Sequence, residues 1–127
     1  MKGREKELEF FLAGSLEKVF PDKRPEEWKG GEKLCILRGE IPAVQLVYYR
    51  KPGGRYPVPP RFRCEVAGFP AKVRMREVEL VPSAFPCFER VDDNYLTTQP
   101  GLFPDLLKPC EDGWITPRAG QYRALWI

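Results

Sequence analysis

The sequence predicts an all-β domain, a two-sheet antiparallel β-sandwich with long Pro- and Gly-rich loops. Three observations predict it. There are 14 prolines and 11 glycines in 127 residues, so proline runs at about twice its usual share. Proline lacks an amide donor and clashes inside helices, which excludes a chain built mostly of long helices. The breakers fall between short runs rich in aromatic and β-branched residues, and several of those runs alternate apolar and polar positions. The length fits one domain with one core, able to bury about two-thirds of the unfolded surface without a disulfide staple.

The first expected strand is Leu8 to Ala13, with Leu8, Phe10 and Leu12 alternating against Glu7, Glu9 and Phe11. Gly14-Ser15 breaks it. Leu16 to Phe20 is a short apolar segment stopped by Pro21-Asp22, and Lys23 to Gly31 is a charged loop around Trp28. A second strand is expected over Lys33 to Leu37. The third, Ala43 to Tyr49, carries the strongest β-branched and aromatic signal. Lys51-Pro52-Gly53-Gly54 turns the chain, and Tyr56 to Pro60 is too rich in proline for a regular ladder.

Phe62, Cys64 and Val66 share one face of a further strand ended by Gly68-Phe69-Pro70. Ala71 to Val81 reads as a long strand with a phase change. Val73 and Met75 are odd while Val78 and Leu80 are even, which predicts a β-bulge near Arg76-Glu77. A strand over Cys87 to Val91 follows. Asp92 to Gly113 is then expected as one long ordered loop anchored by Leu96, Leu102, Phe103, Leu106 and Leu107. Loops of that length in compact domains are usually functional or interfacial. The closing strand is Gln121 to Ile127, with Trp126 structural. The expected core is Leu12, Ile36, Val44, Leu46, Phe62, Val66 and Leu80. Because the apolar last strand has no polar exit, residues 1–127 are expected to be the N-terminal domain of a longer protein.

Composition removes several function classes. The absence of histidine excludes Ser-His-Asp and Cys-His catalysis and zinc sites built with His. A net charge of +3, from 21 basic and 18 acidic residues in mixed order, is too mild for a nucleic-acid footprint. No apolar run reaches the ~18 residues of a membrane span. The charged start, Met1 to Glu7, is unlike a secretory signal, so the expected location is cytoplasmic. Cys35, Cys64, Cys87 and Cys110 form no C-x-x-C pair. They are expected to be reduced, with Cys35 and Cys64 buried on strands. No metal or cofactor is expected.

Ser15-Leu16-Glu17-Lys18-Val19-Phe20-Pro21-Asp22 resembles the opening signature of bacterial glycoside hydrolase-like proteins related to glycoside hydrolase family 123. Arg38-Gly39-Glu40 and Gln45-Leu46-Val47 are similar to that group's arginine-x-glutamate turn and glutamine-bearing strand. Gly101 to Pro109 resembles its Gly-x-aromatic-Pro-Asp-x-Leu-x-Pro loop, and Ala124-Leu125-Trp126-Ile127 its tryptophan strand. The sequence departs at Ile41-Pro42-Ala43, where relatives carry a further acidic and a small polar residue. The resemblance spans residues 8 to 127. It implies a non-catalytic N-terminal β-sandwich whose partner is a downstream catalytic barrel of the same chain. It also implies that Glu17, Arg38, Glu40 and Gln45 are structural motif residues.

Two other functions fit the residues. A carbohydrate-binding module needs exposed rings, and Trp28, Tyr48, Tyr49, Tyr56, Tyr95 and Phe103 are available. Tyr48 and Tyr49 must point to opposite faces of their strand. A small hydrolase would need two placed carboxylates, with Asp92-Asp93, Asp105, Glu111-Asp112, Glu17 and Glu40 as candidates. Adjacent carboxylates on loops more often face solvent or cap backbone amides. The residues singled out for carbohydrate or interdomain contact are Phe103, Asp105, Tyr49 and Trp28.

Overall fold

The computed structural model describes residues 7–29, 35–53, 60–84, 97, 99–110 and 112–127. Seven strands form among them and no helix: β1 (Leu8–Gly14), β2 (Val44–Arg50), β3 (Phe62–Arg63), β4 (Arg76–Ser83), β5 (Gly101–Pro109), β6 (Trp114–Ile115) and β7 (Tyr122–Trp126). A five-stranded sheet has the order β1-β2-β7-β4-β5, and β3 pairs with β6 in a second, two-stranded sheet. All ladders are antiparallel. The closing strand is thus the centre of the large sheet, which explains why its Ala124 and Leu125 are almost fully buried.

Cross-strand partners share a face, so the register sorts the side chains. Phe11, Val47 and Ala124 align across three strands, as do Ala13, Gln45 and Trp126. Phe11, Ala13, Val47 and Ala124 form the first core cluster with Val78 and Val19, and Trp126 packs against it. On the opposite face Leu12, Leu46 and Leu125 align, beside Phe10, Tyr48 and Arg123. There Tyr48, Leu125, Ile115 and Cys110 form the second cluster, and Phe62 packs against it. The Phe62 ring meets Tyr48 and Phe10 edge-on, with centroids 5.0 and 4.9 Å apart. The two-stranded sheet therefore covers the second face.

Segment 15–29 crosses the first face. Val19 is buried on it, Pro21 accepts the Tyr122 amide, and the Trp28 amide donates back to Leu12 on β1. Gly113 holds β6 close to the chain after β3. Its φ is +72°, and a Cβ there would overlap the Cys64 carbonyl. That same approach lets the Cys64 amide donate to Gly113 at 2.9 Å.

Several expectations are corrected. Leu12, Ile36 and Val66 are exposed, and Val44, Leu46, Phe62 and Leu80 are only half-buried. On β1 the core face is Phe11 and Ala13, because segment 15–29 covers that side. Residues 35–37 of the expected second strand are not strand, and Cys35 is exposed. Cys64 is half-buried, and only Phe62–Arg63 of its expected strand forms. The expected long loop is in part strand, since β5 lies within it.

The phase change in residues 71–81 has another cause than the one expected. Met75 packs on the second cluster and Val78 in the first, so both faces are covered and the alternation never slips. A bulge does exist, one strand over. Glu79 pairs Leu106 and Leu80 pairs Pro104, leaving Asp105 as the extra residue on β5. The expected strand Cys87 to Val91 lies outside the described residues.

Candidate functional site

β2, β4 and β7 each project a polar side chain onto the second face where a wholly apolar cover would be expected. The period-two geometry puts Glu77 and Glu79 on one side of β4 and Val78 on the other. Register places Arg123 directly across from Tyr48. With Thr116 and Arg118 from the following segment, these groups line a cavity of about 110 Å³.

Burial dictates how they pair. Tyr48 is 1% exposed, and its hydroxyl donates to Glu77 Oε1 at 3.2 Å. Burial first, and the Glu77 charge second, push the Tyr48 phenol far above its ordinary pKa, so it stays a donor. Arg123 is 7% exposed. Its Nη2 donates to Glu79 Oε2 at 3.2 Å and to the Val78 carbonyl at 3.3 Å, and its Nη1 to Gln121 at 3.3 Å. A charge this buried must be paired, yet the Arg123 Nε is buried with no acceptor.

Glu77 also borders a larger groove of about 510 Å³, lined by Lys108, Pro109, Cys110, Asp112 and Trp114. Asp112 Oδ1 accepts the Trp114 amide at 3.1 Å, the Asx geometry that fixes the start of β6. The Trp114 indole is 43% exposed, with the Arg61 guanidinium 4.4 Å from its ring centre. Cys110 is buried beside Asp112. Desolvation, then that carboxylate, raise its thiol pKa, so it is a poor nucleophile at neutral pH.

The residues singled out from sequence lie elsewhere. Gln45 and Glu17 do meet: Gln45 is buried and its Nε2 donates to the Gly14 carbonyl at 2.9 Å and the Glu17 carbonyl at 2.6 Å. The Glu17 carboxylate accepts the Glu26 amide at 3.2 Å. Together they tie segment 15–29 to the sheet. Glu40 closes its own turn by accepting the Leu37 amide at 2.8 Å, while Arg38 is exposed in that turn.

Asp105 pairs with Lys18 at 3.0 Å on the surface, and Phe103 is half-buried with its ring edge-on to Phe20 at 6.0 Å. Tyr49 stacks on Tyr122 at 4.3 Å, and Trp28 is half-buried beside Gly14. None of these four lines the cavity or the groove. Tyr56, Tyr95, Asp92, Asp93 and Glu111 lie outside the described residues.

Sequence reasoning missed Glu77, Glu79, Arg118, Arg123 and Trp114. One signal was present: Arg123 sits inside the apolar run Tyr122 to Ile127, and a cation on a core strand demands a carboxylate facing it. Glu77 and Glu79, two apart on one strand, are the natural pair.

Among the described residues, no group of three or more His, Cys, Asp or Glu is placed to hold a metal ion. No helix among them is long and apolar enough to cross a membrane. Comparison with protein-family models finds no match to this chain, and comparison with curated proteins finds none.

Proposed function

We propose that the chain is a non-catalytic β-sandwich accessory domain of a glycoside hydrolase-like protein related to family 123, docked on a catalytic domain of the same polypeptide. The two sheets form the layers of the sandwich. The observation that carries the docking is the apolar β4–β5 edge, where Val81, Leu102, Leu106 and Leu107 are 37%, 44%, 55% and 40% exposed. A long edge strand carrying large apolar side chains is an aggregation hazard unless something covers it. Pro104 and Pro109 remove two amide donors from β5, so a partner would pack on its side chains rather than extend the ladder. Cys35, Cys64 and Cys110 are free thiols, as a reducing cytoplasm keeps them.

The test compares this chain with the polypeptide extended through the coding sequence that follows Ile127. Leu106→Glu with Leu107→Glu should leave the melting temperature of the short chain nearly unchanged. In the long polypeptide the same pair should speed proteolysis between the domains and expose β5 amides to hydrogen exchange. A stop codon directly after Ile127, or equal cleavage of variant and parent, overturns the docking.

A further inference from the structure

The inner cavity and the outer groove adjoin at Glu77, which lines both, and this polar channel has the exposed Trp114 indole in the lining of its outer part. Its charges balance. The inner part carries Glu77 and Glu79 against Arg118 and Arg123, and the outer part adds Asp112 against Lys108. An anion entering it meets two or three carboxylates, and a cation meets two or three basic groups. The ligand that suits such a lining is neutral, with groups that both donate and accept hydrogen bonds.

The channel also has unused bonding capacity. Lys108 and Arg118 make no hydrogen bond or ion pair among the described residues. Asp112 uses Oδ1 internally, for the Trp114 amide and the Cys110 thiol. The Arg123 side chain is more than nine-tenths buried and forms one wall of the inner cavity. Trp114 supplies what a purely polar pocket lacks, a flat apolar surface. Its ring is held by Arg61 and by the β3–β6 ladder, so little ordering entropy is lost when a ligand covers it.

We propose that this channel binds a neutral saccharide, one ring lying against Trp114 and its hydroxyls shared among Glu77, Asp112 and Lys108. The Arg118–Arg123 cavity receives a hydroxyl-bearing substituent. Sugar hydroxyls donate to the carboxylates and accept from the cations, while the C–H face of the ring packs on the indole. A zwitterion would use one cation and one anion but leave the indole uncovered. The proposal does not rest on the docking reading, because it uses the groove beside β6 and not the exposed leucines of β5.

Titration of the whole chain with cellotetraose, chitotetraose and mannotetraose, with glycine and sulfate as controls, tests it. The readouts are the Trp114 indole N–H resonance and heat of binding. At least one saccharide should give a saturable indole shift that persists at high salt. Trp114→Ala should weaken that binding about tenfold or more. Lys108→Met, at an exposed position on β5 that does not threaten folding, should weaken it as well. Leu107→Glu, which lies across from Val78 on the other face of the sheet, should leave it unchanged, which separates this site from the docking edge. Three outcomes overturn the proposal: no saccharide shifts the indole, glycine or sulfate binds in place of the sugars, or binding survives both Trp114→Ala and Lys108→Met.

Discussion

One face of the five-stranded sheet buries Phe11, Ala13, Val47, Val78 and Ala124 beneath irregular segment 15–29. The other buries Tyr48 and Leu125 beneath β3 and β6, and beside them it carries Glu77, Glu79 and Arg123. Each face also holds a buried polar side chain, with different consequences. On the first, Gln45 donates to two carbonyls, those of Gly14 and Glu17, and so ties the covering segment to the sheet. On the second, Arg123 recruits a carboxylate that a sheet built only for stability would replace with a hydrophobe. Breaking one partner of a buried ion pair is costly, while replacing both by apolar residues is often neutral or favourable. The comparison therefore separates polarity that closes a fold from polarity that opens a site.

The largest expected effect lies where the second face is purely apolar. Leu125 is fully buried on β7 between β2 and β4. Leu125→Ala should cost about 2–5 kcal/mol, from lost transfer energy and the cavity left behind. Denaturant unfolding should show a lower midpoint with an unchanged slope. Leu46→Ala, at a half-buried neighbour in register, should cost less.

The buried polar groups come next, and they sharpen the comparison directly. Gln45→Ala takes the side-chain donor from the Glu17 carbonyl and leaves the Gly14 carbonyl only the Glu17 amide, and Glu79→Ala removes the carboxylate that pairs Arg123. Each should destabilise by about 1–3 kcal/mol. The faces then diverge. Replacing Glu79 and Arg123 together by Met should be neutral or stabilising. Position 45 offers no such paired replacement, because both acceptors of Gln45 are backbone carbonyls, whereas the double variant removes an ion pair and leaves only the Val78 carbonyl without its Arg123 donor. If the double Met variant is strongly destabilised, the second face is as structural as the first.

The same difference in materials explains what the sequence revealed. Aromatic and β-branched runs located β1, β2 and β7 within a residue or two, because strand propensity and local breakers decide them. They did not reveal which side of β1 is inward. Leu12 and Phe11 are both apolar, and only the path of segment 15–29 decides that Phe11 is covered. β5 reads as a loop in the sequence because Gly101, Pro104 and Pro109 are poor strand residues. An edge position and a bulge tolerate them, and neither is visible locally. Gln45 and Glu17 were singled out and do meet. The channel was not foreseen, because its groups come from β2, β4, β5, β6 and β7, joined only by the sheet order.

Alkaline titration probes the second face through Tyr48. Its folded pKa is raised, so its contribution to stability is fully present below the unfolded value of about 10. It is lost progressively as pH rises from there toward the higher folded value. Unfolding free energy should therefore fall on going above about pH 10. Tyr48→Phe should flatten that decline while losing the bond to Glu77. An equal slope in the variant would assign the alkaline loss to other groups.

The smallest effect belongs to the surface tie between segment 15–29 and β5. The bulge that leaves Asp105 unpaired in the ladder also turns its carboxylate toward Lys18, 3.0 Å away. Both side chains are about half exposed, at 47% and 57%. Water and salt screen such a pair, and ordering a lysine consumes most of the Coulomb gain, so pairs of this kind contribute about 0–1 kcal/mol. Asp105→Ala should thus change the unfolding free energy by less than about 0.5 kcal/mol, and by less again at high salt. Phe103→Ala, two residues away, removes a half-buried ring from the edge of Phe20 and should cost more. The reverse order would mean that the bulge, rather than the rings, anchors the cover of the first face, and that a surface charge is closing that side of the fold.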